Sequence, residues 1–531
     1  MARYQYKRLG YLAPPELSGA GPGRYSVAIV GAGPIGLALA IDLALQGISS
    51  VLLDDNDMVS RGSRAICWAK RTLEIFDRLG VGDRMLAKGV TWKIGRVYHR
   101  DRELYSFDLQ PEAAHKMPAF INLQQYYVEE YLVDRVRQFP ELIQLRFLNR
   151  VTGVETKPDH VRLHVETPDG PYDLEAAYVV ACDGARSTLR GLLDLDLKGR
   201  RFEERFLIAD IEMQADFPAD RRFWFEPTFH SGQSALLHKQ PDDLYRIDLH
   251  LGPGADPQEE TRHEKVVPRI KAIVGERPFE IDTVSVYSFQ CSRLDRFVHG
   301  RVIFAGDSAH VVSPFGARGG NGGIQDVDAL GWRLAALIRG EAPQSLLEVY
   351  NDERLYGADE NIRNSLRTTS FMTPSSEMEE LLRRAVFDLS TDMPFARRLI
   401  NSGRLSLPCS LEGFYGPESH AEDAPLAPGR VALDAPLERG GQPTWLLNHL
   451  GGGFTLVTFG DEAVPAIPGI KQLQVGTRGR GLVDREGYAL ARYGQGLSYL
   501  FRPDQHVCAT FRTPDPSLVR AAVAAELTRG T

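Results

Sequence analysis

Between Tyr25 and Asp54 the chain runs through an apolar stretch, YSVAIV, a glycine-rich turn, GAGPIG, a mixed segment, LALAIDLALQG, and a second apolar stretch, SSVLLDD. In the mixed segment Leu37, Ala40, Ile41, Ala44 and Leu45 recur at i, i+3, i+4 spacing, which predicts a helix with one face on a sheet, ended by Gly47. The pattern therefore predicts strand, tight turn, helix, strand. RTLEIFDRLG at 71–80 repeats the helix-then-glycine pattern. From about 91 to 170 apolar and polar residues alternate between turn signals, as in DHVRLHVETPDG, which predicts antiparallel strands. The helix-like QQYYVEEYLVDRVRQF interrupts them. Apolar strand texture returns at AAYVVACDG, gives way to a strand-rich stretch over 205–297, and returns again at RVIFAGD. A long helical region follows from Ile324 to about Asn401.

An α/β domain assembled from three separated segments follows, with boundaries at 1–90, 171–204 and 298–365. A second, sheet-rich domain is interposed at 91–170 and 205–297. A helical region occupies 366–405, a Pro- and Gly-rich linker 406–424, and a small α/β domain 425–531. A length of 531 residues agrees, since single cores stop growing near roughly 250–300 residues.

Composition then narrows the chemistry. A formal charge of −8 removes the electrostatic argument for nucleic acid. IGLALAIDLALQG is interrupted by Asp42 and Gln46 and is too short to span a bilayer, and the N-terminus shows no signal pattern, so the expectation is a cytoplasmic protein without membrane contact. Five cysteines, Cys67, Cys182, Cys291, Cys409 and Cys508, are far apart and never in C-x-x-C spacing, so neither a disulfide framework nor a metal site is expected.

Three pieces carry candidate chemistry. Gly31, Gly33 and Gly36 form a G-x-G-x-x-G turn between strand and helix, where glycines admit a pyrophosphate and the helix start offers unpaired N–H donors. Asp54 ends the next strand, placed to accept hydrogen bonds from ribose hydroxyls. This much leaves nicotinamide and flavin dinucleotides both open. Asp183-Gly184 follows a later strand, with Ser187 and Arg190 behind it, and Gly306-Asp307 follows another, leading into SAHVVSPFGARGGNGG.

Together these three motifs resemble the class A flavoprotein monooxygenases, the para-hydroxybenzoate hydroxylase superfamily. The resemblance covers nearly the whole chain. It implies a Rossmann-type, GR2-like FAD-binding domain whose G-x-G-x-x-G turn holds the ADP half of FAD. It also implies that Asp307 bonds the ribityl chain, and that Asp183 and Arg190 serve FAD and the passage of NADH or NADPH. The flavin ring would lie on backbone from Pro314 through Gly319 and Gly320 to Asn321, where side chains would hold it away from N–H donors. SRAICWAKRTLEIFDRLG resembles the segment whose arginine, here Arg64, contacts FAD phosphates, and LQQYYVEEYL makes Gln125 a cofactor contact. The tail resembles the thioredoxin-like domain of the phenol hydroxylase branch. It lacks C-x-x-C, so dithiol redox work is not expected and packing and homodimer formation are the expected roles, while its presence points to the 3-(3-hydroxyphenyl)propionate hydroxylase or pentachlorophenol monooxygenase type.

The reaction so implied is hydroxylation of a small phenolic substrate by a flavin C4a-hydroperoxide formed from O2 after NAD(P)H reduces FAD. Within 205–297, Trp224 and Phe225 are candidate ring walls and His238 or Tyr245 a candidate proton relay. Arg222 or Arg246 is a candidate partner for a substrate carboxylate. Competing readings are a flavin dehydrogenase, a flavin halogenase, for which RFWFEP is a poor match to W-x-W-x-I-P, and a flavin-binding sensor without turnover.

Overall fold

The computed structural model describes the chain except residues 1–3, 20, 63–64, 216, 231, 314–315, 375, 401–404, 406, 417–420, 422, 463–464, 480 and 531. Three distant segments meet in one parallel sheet. Strand Gly23–Val30 lies between Ser50–Leu53 and Gly170–Ala181, with Ile143–Arg146 beyond the former and Val302–Phe304 beyond the latter. These strands are covered on both faces, which is why they read as unbroken apolar runs. Helix Pro34–Leu45 packs between helices Gln125–Val136 and Gly319–Ile338, and this close fit buries almost all of it.

The structure divides 91–170 differently from the sequence reading. Helix Gln125–Val136 and strands Ile143–Arg146, Arg150–Thr156 and Val161–Thr167 belong to this first layer, with Val161–Thr167 pairing antiparallel to the start of Gly170–Ala181. Alternation predicts antiparallel partners but does not say which sheet supplies them. Only strands Val90–Trp92, Ile94–His99, Arg102–Asp108 and Phe120–Asn122 lie outside it.

The second sheet runs in the order His310–Val311, Glu280–Arg293, Lys198–Glu212, Leu244–Gly252, Ser234–Lys239, Arg221–Phe225, Ile94–His99, Arg102–Asp108. Helix His263–Val274 seals its outer face, burying Val266, Ile270 and Val274 against Leu207, Ala209, Leu237, Ile247 and Leu249. A small sheet of Cys67–Ala69, Phe120–Asn122 and Val90–Trp92 stands between the two large ones. The helical region is four helices, Gly319–Ile338, Leu346–Met372, Glu377–Ser390 and Pro394–Ile400. Among the described residues no helix is long and apolar enough to cross a membrane.

The terminal domain is a seven-stranded mixed sheet over its own core, which includes a stacked pair, Phe459 and Tyr493, with ring centroids 4.2 Å apart. It is locked to the first domain by buried charge. Arg502 donates to Glu353 at 2.7 Å and to Asp504 at 2.5 Å, and Arg333 donates to Glu353 at 2.7 Å. Arg71 donates to Asp328 at 2.7 Å, to Gln505 at 2.8 Å and to the Asp504 carbonyl at 2.8 Å. Such charges tolerate burial only when each one is matched.

Candidate functional site

The three glycine-bearing strand ends form one cradle. Gly31 has φ +106°, and a Cβ there would lie 2.5 Å from the Cys182 carbonyl oxygen, so the first turn touches the second. A Cβ on Gly36 would lie 1.9 Å from the Gly31 carbonyl oxygen, which is the tight strand-to-helix step that the motif requires. At Gly33 a Cβ would meet nothing within 4 Å, and this residue precedes helix Pro34–Leu45 with no side-chain cap, so no side chain here satisfies the first-turn N–H groups. Asp54 clamps this turn: its carboxylate accepts from Ala32 N at 2.5 Å and Asn56 N at 2.8 Å. Burial raises its pKa, and those donors oppose the rise.

At the second strand end the Asp183 carboxylate accepts from Leu189 N at 3.1 Å, while its other oxygen is occluded without a partner. Arg190 brackets the second motif to the third, donating to the Ala185 carbonyl at 2.6 Å and to the Ser308 carbonyl at 3.0 Å. Arg190→Met is expected to cost about 1–3 kcal/mol by leaving a buried carbonyl unmet. Urea unfolding followed by circular dichroism measures this.

The third strand end carries a constellation that sequence reasoning missed. Asp326, fully buried, accepts from Gly306 N at 2.8 Å, His310 Nε2 at 2.7 Å and Arg354 Nε at 2.6 Å. Burial opposes its ionisation, but His310 and Arg354 outweigh burial and hold its carboxyl below the usual range. This anchor fixes the Gly306–Ser308 turn on which Asp307 sits, its Oδ1 3.8 Å from the place of a Cβ on Gly319. Helix Gly319–Ile338 starts there with no side-chain cap. Gly320 faces the Trp68 ring, and Gly323 packs on Gly306 and Ile35 of the first motif, so the third piece also touches the first. The Asn321 side chain fastens strand Cys67–Ala69, accepting from Ala69 N and donating to the Cys67 carbonyl, both at 2.9 Å. Gln125 accepts from Ala65 N at 3.2 Å and donates to Glu129 at 2.8 Å. Arg64 and Pro314 lie outside the described residues.

Two uncapped helix starts, glycines that exclude side chains, and an unpartnered Asp183 oxygen among these turns fit an extended dinucleotide such as FAD.

The second sheet presents its inner face to this cradle, and the period of two sorts the candidates. His238 is on the inner face, with Nδ1 4.0 Å from Cys67 Sγ, and the Cys67 carbonyl is held by Asn321. Phe225 is also inward, packed with Val97, Met372 and Phe387. Arg246 is inward but fully matched, donating to both Asp210 oxygens at 2.9 and 2.7 Å. That pairing weakens its candidacy for a substrate carboxylate. Trp224 and Tyr245 are corrected: both point to the outer face. Trp224 stacks on Tyr98 at 5.2 Å, opposite Ala235, and the Tyr245 hydroxyl donates to the Ala215 carbonyl at 2.8 Å within the outer core. Arg222 is outward too, beside Phe217. Sequence reading also passed over Arg221 and Asp248, although Asp248 stands two residues from Arg246 and so shares its face.

A family model described as FAD binding domain matches residues 24–365. A flavin-dependent monooxygenase of Mycobacteroides abscessus is 32% identical over 353 residues, 62% of this chain and 71% of that protein. A 3-(3-hydroxy-phenyl)propionate/3-hydroxycinnamic acid hydroxylase of Mycolicibacterium smegmatis is 27% identical over 381 residues, 71% of this chain and 67% of that one. The crystal structure of the flavin-dependent monooxygenase PieE in complex with FAD and substrate superposes with a TM-score of 0.81 at 23% identity, covering 96% of this chain and 100% of that chain. That likeness extends the shared fold through the terminal domain. Cradle and comparisons agree: the chain belongs to the FAD binding domain family, among the flavin-dependent monooxygenases.

Proposed function

We propose that this chain binds one FAD, takes electrons from NADH or NADPH, and inserts one oxygen atom of O2 into a phenolic ring. The observation that carries this reading is the cradle of three strand ends placed against the inner face of a separate sheet. The hydroxylases among its relatives act on aromatic rings, which supports the substrate class. FAD, when bound, supplies the electron relay and the activation of O2.

The chain's own residues supply the rest. Gly31, Gly33 and Gly36 admit the pyrophosphate to the start of helix Pro34–Leu45. Asp307 accepts from ribityl hydroxyls, and the backbone N–H groups from Gly319 to Asn321 donate to the ring's electron-rich edge. Asp183 and Arg190 shape the turn beside them, and Gln125 steadies the loop before Ala65. Phe225, Val97 and Phe387 pack as one apolar cluster on the inner face of the second sheet, and an apolar surround of that kind would help to keep water from the reacting centre. The terminal domain reads as thioredoxin-like, since Thr455–Phe459 pairs parallel with Lys471–Gly476 and antiparallel with Leu497–Phe501. Its role is packing, with homodimer formation tested by light scattering. Five free cysteines suit the reducing cytoplasm.

The test is to purify the yellow protein, supply each nicotinamide, and screen phenols, 3-(3-hydroxyphenyl)propionate included. NAD(P)H loss, O2 uptake and hydroxylated product should rise together. Oxidase activity that no phenol stimulates would overturn the assignment in favour of a dehydrogenase or a sensor, and halogenated product in favour of a halogenase. Asp307→Ala is expected to purify largely colourless, because ribityl hydroxyls lose their acceptor. Full flavin absorbance in that variant would remove Asp307 from the role.

A further inference from the structure

The inner face of the second sheet carries charge that the reading above leaves unused. Arg222 lies opposite Leu237 and Leu237 opposite Ile247, so the inward residues fall into rows. One row is Arg221, His238, Arg246 and Asp210, and the next is Phe223, Leu236, Asp248 and Ile208. The row is joined to the cofactor cradle through His238 and Cys67. Arg246 and Asp210 satisfy each other. Arg221 and Asp248 do not. Among the described residues neither side chain makes a hydrogen bond or an ion pair, Arg221 Nη1 and Asp248 Oδ1 are occluded without hydrogen-bond partners, and the Arg221 guanidinium lies 5.9 Å from the Trp92 ring centroid, with Cys67 and Asp248 near enough to act on its charge.

A half-buried guanidinium and a half-buried carboxylate, each with an occluded atom that no hydrogen bond satisfies, are stabilised by a ligand that supplies the missing partners. A ring hydroxyl offers what each lacks, a proton to donate to the carboxylate and a lone pair to accept from the guanidinium. A substrate carboxylate would match Arg221 but set like charge against Asp248. The groups facing Asp248 also rank the available bases. Burial, opposed by Arg246 and Arg221 and aided by Asp210, brings Asp248 up to about 6. Burial, Arg221 and Arg246 together drive His238 well below its ordinary value. Asp248 is thus the stronger proton acceptor of the two, with the Cys67 thiol pushed up to about 11 by burial.

We propose that Asp248 is the catalytic base that takes the proton of the substrate's ring hydroxyl, and that Arg221 is the cation that holds the resulting phenolate. This rests on the hydroxylase reading. In the step the phenolic O–H bond breaks and its electron pair stays on the ring oxygen. A new O–H bond forms on the Asp248 carboxylate, and nothing is oxidised or reduced. Asp248 returns the proton to that oxygen once the hydroxylated ring is aromatic again. A phenolate ring is richer in electrons and so is attacked more readily by an electrophilic oxygen.

The experiment uses FAD-loaded protein with Asp248→Asn and Arg221→Met, flavin content confirming that each folds. Turnover is compared between a phenol neutral at the assay pH and a ring-fluorinated phenol already ionised there. Asp248→Asn should lose about 10²–10⁴-fold with the first and less than about 10-fold with the second, because general-base help is needed only where a proton remains. Equal losses with both would overturn the role of Asp248. Separately, p-nitrophenol is titrated against pH on the bound protein, its ionised form being read by its visible colour. Arg221→Met should raise the bound ionisation midpoint by about one pH unit or more. A midpoint unmoved by that change overturns the role of Arg221. Because this titration needs no turnover, it stands even if no phenol is hydroxylated, an outcome that would sink the hydroxylase reading instead.

Discussion

Gly36→Ala is expected to yield protein that folds poorly around its first turn and retains almost no FAD. The added methyl would have to occupy a place 1.9 Å from the Gly31 carbonyl oxygen, which is backbone and cannot swing aside. Gly31 has no room to retreat, since its own Cα faces the Cys182 carbonyl so closely that a Cβ would lie 2.5 Å from it. The helix start must therefore lift off the strand end, taking its unpaired N–H groups with it. Overpacking of this kind costs about 1–3 kcal/mol in stability. The same displacement falls where the pyrophosphate would be bound, so calorimetric FAD affinity should drop at least about 10-fold for each 1.4 kcal/mol lost there. Gly33→Ala makes the contrast. Its φ of −75° suits any residue and its Cβ would meet no protein atom, so the melting temperature should hold while FAD binding weakens. If both variants bind FAD like the parent, the cradle is not the cofactor site.

Glu353→Ala should destabilise the chain by about 3–5 kcal/mol, because it strands buried guanidiniums rather than merely removing a pair. Glu353 accepts from Arg333 and Arg502 at 2.7 Å each, and all three are shielded from solvent. Burial opposes its ionisation, yet the two arginines overcome it and hold the carboxyl at about 2, below the 4.5 of an ordinary glutamate. The sign follows from that depression. The stabilisation is complete above the ordinary value and is lost as pH falls through the folded one. Scanning calorimetry at neutral pH should show a lowered, split transition in the variant. On acidification toward pH 2 the gap between variant and parent should narrow. A gap constant with pH would mean that Glu353 does not act through its ionised carboxylate.

The sequence makes the cradle legible because its chemistry is local. Gly31, Gly33 and Gly36 are read from spacing alone, and Gly306-Asp307 from its place at the end of an apolar run. What could not be read is long-range pairing. Arg150–Thr156 and Val161–Thr167 alternate as strands of either sheet would, and they join the first because Gly170–Ala181 extends beyond its parallel partners and offers a bare edge. Trp224 and Tyr245 show the cost of reading residue type without face. One position along a strand separates an active-site wall from the back of the sheet, so Arg246 points inward and Tyr245 does not. The Asp326 anchor was hidden because His310 and Arg354 reach it from 16 and 28 positions away, on different elements.

The lock between the terminal domain and the rest has a bearing on protein engineering. Arg71 reaches Gln505 across 434 positions of sequence, and Arg502 meets Glu353 across 149. A swap of the last hundred residues with those of another hydroxylase would part each of these couples, leaving Arg71 without its amide acceptor on one side of the seam and Arg502 without its Glu353 carboxylate on the other. Chimeras of this scaffold should succeed when Arg71, Asp328, Arg333 and Glu353 travel with the tail they were matched to, and fail when the cut is made only at the Pro- and Gly-rich connector.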